Sequence, residues 1–227
     1  MLVRVLMAVA LCGVASASDL TGTWAVERVV RTNFDVPVLG TMEQVQTIRA
    51  LWTFAKSPGG FQVVERLCTV RASGSNSAIR AKMKPGFPKG ASGTRLDARL
   101  DGGRLTVEGI AMVGTRTAPS GMLPTQAEHP DVRDIDGDGQ PGFTVVIEGF
   151  VSGEVRLVRR ERLRFAGRVD KVRMRGDLDL TVEQNLLSAS TSLLETPIPE
   201  TVRGGTFRGV RTPVSSCKGA FRGLEKG

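Results

Sequence analysis

The sequence predicts an all-β fold, a closed antiparallel barrel of about eight to ten strands with one long inserted loop. Three observations support this fold class. Most of the chain alternates apolar with polar residues, which is the period of a half-buried strand. No proline interrupts residues 142–196, as a run of paired strands requires. Residues 114–142 contain four of the eleven prolines and show no alternation, which indicates one long connection between strands.

Two hairpins are the clearest local predictions. Residues 95–100 alternate charged with apolar side chains, Asp101-Gly102-Gly103 supplies the turn, and residues 104–107 begin the returning strand. A second and longer hairpin has its arms over residues 154–165 and 171–183. Both hairpins place sequence neighbours side by side in an antiparallel sheet.

Two segments fit more than one kind of secondary structure, and a third is predicted as a loop. Residues 41–55 carry an apolar pattern that fits either a helix or a strand, and the hairpin-like turn at 57–60 favours the strand. Residues 184–195 are either an extension of a strand or a short helix. Residues 85–90 have the proline and glycine content of a loop.

The first 17 residues have the composition of a secretory signal peptide. Arg4 precedes an apolar stretch over residues 5–14, and Ala15-Ser16-Ala17 is a small-residue cleavage site. The apolar stretch is too short to cross a bilayer as a helix. We therefore expect residues 18–227 to form a single barrel domain that is secreted or periplasmic and has no transmembrane segment.

Cleavage after this segment leaves two cysteines, Cys68 and Cys217. An exported chain with two thiols most simply pairs them, since disulfides persist in oxidising compartments. The alternative is two unpaired thiols. A bridge would join the carboxyl-terminal region to the first half of the chain.

The start of the predicted domain carries a short family motif. Gly22-Thr23-Trp24 matches the Gly-x-Trp motif with which calycins begin, and the chain therefore resembles lipocalins and avidin-like barrels. The resemblance implies a lipocalin-like barrel that Trp24 closes at one end, a disulfide such as Cys68–Cys217, and a small apolar or lipid-like ligand inside. The chain departs from the family in having no tyrosine, hence no Thr-Asp-Tyr loop, and the family's late arginine is not placed.

Three alternating aspartates in the long loop predict a site for a hard cation. Asp134, Asp136 and Asp138 stand at positions 1, 3 and 5 of a calcium-loop pattern, Gly139 supplies the bend, and Gln140 offers its main-chain carbonyl. The stretch is similar to the calcium loops of dockerins and thrombospondin type 3 repeats.

The pattern lacks a carboxylate at its twelfth position, which is Val145. The nearest substitutes are Glu148 and Asp131. Because three alternating carboxylates repel one another without a counter-charge, a partial calcium site is favoured over an ion-free turn rich in aspartate and glycine. The predicted metal residues are Asp134, Asp136, Asp138, Gln140, Asp131 and Glu148.

The formal net charge of the chain is +8, and arginines concentrate in the second hairpin. Their alternation predicts a basic face that could meet an anionic surface, although a solvated outer face of the barrel is the simpler interpretation. No aromatic residues are interleaved for base stacking, so nucleic acid is not expected as a partner. The arginines of this face are Arg160, Arg162, Arg164, Arg173 and Arg175.

Apolar aromatic residues predict either a ligand cavity in the barrel or a filled core. No nucleophile elbow, phosphate loop or paired metal-ligand motif is present, so the sequence favours a non-enzymatic binding protein. The alternative is a structural or surface-interaction domain with a filled core and a calcium-stabilised loop. The candidate ligand-lining residues are Trp52, Phe54, Phe61, Phe143 and Phe165.

Overall fold

The fold is described from a computed structural model of the chain. It describes residues 19–36, 40–74, 79–149, 151–196 and 200–225. The predicted signal peptide over residues 1–17 lies outside the described residues. In the part of the chain that is described, no helix has the length and apolarity that a membrane crossing requires.

Ten strands account for most of the described chain. They are β1 Gly22–Val36, β2 Gly40–Ser57, β3 Gly60–Gly74, β4 Ile79–Met83, β5 Thr94–Asp101, β6 Arg104–Val113, β7 Phe143–Gly149, β8 Gly153–Val169, β9 Arg173–Ala189 and β10 Glu200–Arg211. One short α-helix, α1 Phe87–Gly90, follows β4, and two 3-10 helices span Ser192–Leu194 and Ala220–Gly223.

The strands form one antiparallel sheet that closes on itself. Eight strands make the ring in the order β1-β2-β3-β5-β6-β8-β9-β10, and β10 pairs with β1. This order follows the chain once β4 and β7 are left aside, so the ring is an up-and-down barrel. The prediction of an all-β, antiparallel, closed barrel is confirmed.

Strand β8 joins the ring to the two remaining strands. Its residues Arg159–Arg168 pair with β6, and its first residues, Gly153–Leu157, pair with β7 on the same edge. The other edge of β8 pairs with β9 along nearly its whole length. Strand β4 then pairs with β7, so β4 and β7 lengthen one wall at a single end of the barrel.

The long predicted loop is the connection between β6 and β7. The loop leaves the barrel wall at Gly114 and returns to it at Gly142, and both glycines lie beside the carbonyl oxygen of Leu157. A Cβ added to Gly114 would lie 2.9 Å from that oxygen, and one added to Gly142 would lie 2.3 Å from it. Both glycines have positive φ, 73° and 82°. A side chain at either point would collide with β8, so glycine allows the insertion to start and end against the barrel wall.

Aromatic side chains fill the half of the barrel that β1 enters first. Trp24 and Trp52 are fully buried, and the Trp24 Nε1 donates to the Leu20 carbonyl at 2.9 Å. The Arg211 guanidinium lies 4.8 Å from the centre of the Trp24 ring and covers it from outside. This end is therefore closed by Leu20, Trp24 and Arg211.

The structure decides the secondary structure of the segments that the sequence left ambiguous. Residues 41–55 belong to strand β2, as the turn after them predicted. Residues 184–195 contain both alternatives, since β9 continues to Ala189 and the 3-10 helix Ser192–Leu194 follows. The prediction of a loop at 85–90 was wrong in part, because residues 87–90 form the single turn of α1.

The predicted disulfide between Cys68 and Cys217 is confirmed. It fastens the carboxyl-terminal segment to the outside of β3. That segment packs its own apolar side chains, Phe221 and Leu224, on Ala25 and Leu51 of the barrel wall. The bridge closes a long loop, which stabilises the folded chain by restricting the unfolded one.

A buried carboxylate on the outer wall links three strands beside that segment. The side chain of Glu27 on β1 is 8 % exposed and accepts hydrogen bonds from Arg49 of β2 at 2.8 Å and from Arg208 of β10 at 2.8 Å. Burial raises the pKa of the Glu27 carboxyl, but the two arginines outweigh burial and hold the pKa below its ordinary value of 4.5.

This lowered pKa predicts an acid-dependent loss of stability. A carboxyl whose pKa is lowered by folding stabilises the fold above its unfolded pKa, and that contribution disappears as the pH falls through the lower, folded pKa. We expect Glu27→Gln to lower the free energy of unfolding by about 1–3 kcal/mol at pH 7. Urea denaturation of both proteins at pH 7 and well below pH 4.5 measures the difference.

The difference between wild type and variant should shrink in acid. A difference that is equal at both pH values would mean that the charge of Glu27 does not stabilise the barrel. Glu108→Gln is the matched control, since its ion pair with Arg164 is exposed and should contribute less than about 1 kcal/mol at either pH.

Candidate metal centre and barrel interior

The aspartate loop is built from carboxylates that accept main-chain hydrogen bonds. The two oxygens of Asp134 accept the N–H groups of Gly137 at 2.7 Å and Gly139 at 2.9 Å. The two oxygens of Asp138 accept the Gln140 N–H at 2.9 Å and the Thr144 hydroxyl at 2.7 Å. The chain bends tightly enough for this because Gly137 and Gly139 have φ of 73° and 81°.

Asp136 is the buried member of the loop. It is 8 % exposed, and its Oδ2 accepts the Thr144 N–H at 2.7 Å. Its Oδ1 is buried and has no hydrogen-bond partner in the described part of the chain. A buried carboxylate oxygen without a partner loses its hydration without compensation, which is costly unless something binds it.

The three carboxylates converge. Asp134, Asp136 and Asp138 each offer one oxygen to a group in which all the oxygens lie within 4.8 Å of one another. Burial raises the pKa of Asp136, and the negative charges of Asp138 and Asp134 raise it further. The structure therefore places the buried carboxylate of Asp136 beside two further aspartates whose charges disfavour its ionisation.

One cation lies near this group. Burial raises the pKa of Asp138, but the hydrogen bonds from Thr144 and Gln140, together with the nearby ammonium of Lys84, outweigh burial and lower that pKa. Lys84 is also paired with Glu154 at 2.6 Å. Glu154 is also paired with Arg156 at 3.0 Å, so four carboxylates lie beside two cations, and the loop retains an excess of negative charge that a divalent cation would neutralise.

Asp131 and Glu148, which were also predicted as metal residues, are outside the group of converging carboxylate oxygens. Asp131 is bonded to the loop itself, because its Oδ2 accepts the Thr117 hydroxyl at 3.4 Å. Glu148 lies on β7 and is paired with Lys82 at 2.7 Å. Gln140 contributes its N–H to Asp138, and its side chain is exposed. The geometry thus assembles three of the six predicted residues.

The aspartate loop packs against α1 through main-chain contact. A Cβ added to Gly86 would lie 1.9 Å from the Asp136 carbonyl oxygen, and one added to Gly90 would lie 1.5 Å from the Ile135 carbonyl oxygen. Only glycine fits at such distances. The aspartate loop and α1 are therefore held together backbone to backbone.

Helix α1 in turn contacts the barrel interior. Phe87 is buried and packs on Phe143 of β7, with 5.4 Å between ring centres. Thus a continuous set of contacts runs from the aspartates through α1 to the inside of the barrel.

Charged residues lie inside the barrel where sequence analysis expected apolar ones. Arg28 of β1 and Glu65 of β3 are 5 % and 2 % exposed, and their side chains pair at 3.4 Å. Glu65 also accepts the Trp52 Nε1 proton at 3.0 Å, and Glu161 of β8 lies 4.0 Å from Arg28. The Arg28–Glu65 pair joins β1 to β3 across β2, and the approach of Glu161 brings β8 into the same charged group.

A second arginine extends this charged layer. Arg159 of β8 binds Gln184 of β9 at 2.7 Å, Glu161 at 3.4 Å and the carboxylate of Glu200 on β10. Burial raises the pKa of Glu200 and Glu161 raises it too, while Arg159 lowers it. The layer therefore ties β1, β3, β8, β9 and β10 together across the interior.

A small cavity lies beside the charged layer. Its volume is about 30 Å³, which holds about one water molecule. The Nε and Nη1 of Arg28 have no hydrogen-bond partner in the described chain and border this space. The apolar part of its lining comes from Ile48, Leu67, Val70, Met83, Phe87, Phe143 and Val113.

The five aromatic residues predicted to line a ligand cavity lie in two different parts of the barrel. Trp52 contacts Phe54 and Phe165, with ring centres 6.1 and 4.8 Å apart, and Phe54 contacts Phe61 at 6.5 Å. These four fill the closed half of the barrel with their own rings. Only Phe143 of the five borders the small cavity.

The predicted basic face contains one buried arginine and four exposed ones. Arg160 is 5 % exposed, because the inserted loop covers it and its guanidinium binds the Pro119 carbonyl and Glu183. Its assignment to an exposed anion-facing surface was wrong. The other four arginines of that prediction, Arg162, Arg164, Arg173 and Arg175, are exposed.

The interior charges could have been found from strand parity. Arg28 stands midway between Val26 and Val30, and Glu65 follows Val63 by two residues, so each shares the inward face of its strand.

Comparison of the chain with protein-family models, with curated proteins and with solved structures finds no match. The function is therefore argued from the geometry alone.

Proposed function

We propose that this protein is an exported, non-enzymatic barrel domain that binds calcium in its aspartate loop, where the ion fixes the loop and α1 at the barrel wall. The observation that carries the proposal is Asp136. It is a buried carboxylate with an unpaired oxygen, and it shares a 4.8 Å cluster with two further aspartates. Carboxylate oxygens at this density are the ligands that calcium prefers.

The ion would act mainly on the stability of the inserted loop. Calcium takes about six to eight oxygen ligands, and three aspartates provide only part of that number. Main-chain carbonyls such as that of Gln140, together with water, would complete the shell. Because the twelfth-position carboxylate is replaced by Val145, we expect modest affinity, as suits a structural site.

The finer family resemblances support this proposal. The loop is similar to the calcium loops of dockerins and thrombospondin type 3 repeats, but strands flank it here. The Gly22-Thr23-Trp24 motif lies at the closed end, as the lipocalin resemblance implies, and Arg211 covers the Trp24 ring there. Export is inferred from the signal-like residues 1–17 and the disulfide.

Calcium titration of the chelator-treated protein tests the proposal. A ligand that binds only the folded state stabilises it by about 2.7 kcal/mol at a concentration of 100 Kd, so we expect Tm to rise through the millimolar range of calcium. Asp134→Asn should abolish the rise, since it removes a charged ligand, while the asparagine Oδ1 can still accept one of the two main-chain hydrogen bonds that Asp134 accepts.

Asp131→Asn is the matched control, because Asp131 lies in the same loop outside the cluster and should leave the calcium response unchanged. An unchanged Tm of the wild-type protein at millimolar calcium would exclude the site. An equal response to magnesium at equal concentration would show a general divalent effect.

A second candidate function is the binding of a small apolar or lipid-like molecule inside the barrel. The observation that favours it is the mixed lining of the small cavity, where apolar side chains meet Arg28, whose Nε and Nη1 have no hydrogen-bond partner in the described chain although the guanidinium is ion-paired with Glu65. At about 30 Å³ the cavity is far below the roughly 300–1000 Å³ of ordinary ligand sites, so binding would require the wall around α1 to move outward.

Organic extraction of the purified protein, followed by mass spectrometry, tests this second function. A stoichiometric apolar molecule in the extract would support it. Its absence, together with no change in Trp52 fluorescence on addition of a fatty acid, would exclude it and leave the calcium-stabilised structural domain.

A further inference from the structure

Four arginines lie in one row across the outside of the barrel. The strand register places Arg104 of β6 opposite Arg168 of β8, Arg168 opposite Arg175 of β9, and Arg175 opposite Arg208 of β10. Neighbouring strands are about 4.8 Å apart, so the row spans roughly 14 Å. We call these four residues the arginine row.

The arginine row opposes folding by its own charge. Like charges directly opposite each other on neighbouring strands are destabilising, and this row contains three such pairs in succession. Arg104, Arg168 and Arg175 make no salt bridge within the described residues, while Arg208 is bound to Glu27. The positive charge of the row is therefore largely uncompensated.

Nearby carboxylates are mostly engaged elsewhere. Glu27 is shared between Arg208 and Arg49. Asp170 accepts the N–H groups of Val172 and Arg173 at 2.8 and 2.7 Å, and its pKa is lowered by these bonds and by the nearby Arg173 and Arg175. Asp177 lines the recess with Glu27, and Asp101 of β5 lies opposite Arg104 in the strand register. Within the described residues, Glu27 is the carboxylate that forms a salt bridge with the row.

The row borders a recess in the barrel wall. The recess has a volume of about 680 Å³, within the range of small-molecule sites. Arg168, Arg175 and Arg208 line it, and Gly167 and Gly176 lie opposite each other in its wall. A Cβ on either glycine would lie 2.2 Å from a carbonyl oxygen of the neighbouring strand, so the strands approach closely here.

We propose that this recess binds a compact oligoanion with adjacent phosphate or sulfate groups. A guanidinium donates two parallel N–H groups to such an oxyanion, and several guanidinium groups in register can hold successive groups of one ligand. The site favours a small soluble anion over a membrane surface, because its guanidinium groups form one row of roughly 14 Å beside the carboxylates of Glu27 and Asp177, which would repel an extended anionic surface. Binding relieves the repulsion within the arginine row, which gives the ligand an energetic advantage in the folded protein.

Isothermal titration with tripolyphosphate near 0.15 M salt tests this proposal. We expect saturable binding with one ligand per protein. Arg168→Gln/Arg175→Gln should weaken it at least about tenfold, since it removes two charged hydrogen-bonding groups. The same double variant should have a higher Tm than wild type in the absence of ligand, because it removes like-charge repulsion.

Arg95→Gln/Arg162→Gln is the matched control, since it removes two exposed arginines that make no described salt bridge and lie outside the recess. Its affinity should stay within about twofold of wild type. Equal weakening in both double variants would show screening of net charge and overturn the proposal. Absence of saturable binding, or binding only to vesicles of anionic phospholipid, would overturn it as well.

Discussion

The hydrogen bonding of β8 is the constraint on which the other features depend. One edge of this strand is shared between β6 and β7, and the other edge carries β9 along nearly its whole length. The chain between β6 and β7 must therefore leave the barrel and return within one strand spacing at Leu157. That closure places the aspartate loop against the wall, and it allows residues 114–132 to cover Arg160 on the outer face.

The barrel has two halves with different chemistry. The closed half is filled with aromatic rings that contact one another. These contacts stabilise the barrel and leave no room for a ligand between the rings. The other half contains the ion pairs of Arg28 with Glu65 and of Arg159 with Glu200, and each pair joins two strands that flank a third strand in the ring. Buried ion pairs fix one arrangement of strands because breaking a single partner leaves a buried charge uncompensated. The aspartate loop acts on this second half, since α1 carries Phe87 from the loop to the interior.

Sequence periodicity predicted what depends on neighbours along the chain. It gave the closed antiparallel sheet, the strand at 41–55 and the inserted loop, whereas the pairing of Cys68 with Cys217 was predicted from the presence of two cysteines in an exported chain. It did not predict α1, because that single turn exists through main-chain contact with a loop far away in sequence. The same alternation predicted that Arg160 is exposed to solvent. Alternation shows which face of a strand a residue occupies, but it does not show whether another segment covers that face.

Amide hydrogen exchange measures the central claim, that an ion in the aspartate loop holds α1 at the barrel. The informative amides are those of Ile135 and Gly142 in the loop and those of Gly90 and Ala91 in α1, all of which donate main-chain hydrogen bonds. Calcium should slow exchange in both groups, and Gly90→Ala should remove the effect in α1 alone, because its Cβ separates α1 from the loop. Exchange in α1 that is indifferent to calcium in the wild-type protein would contradict the account.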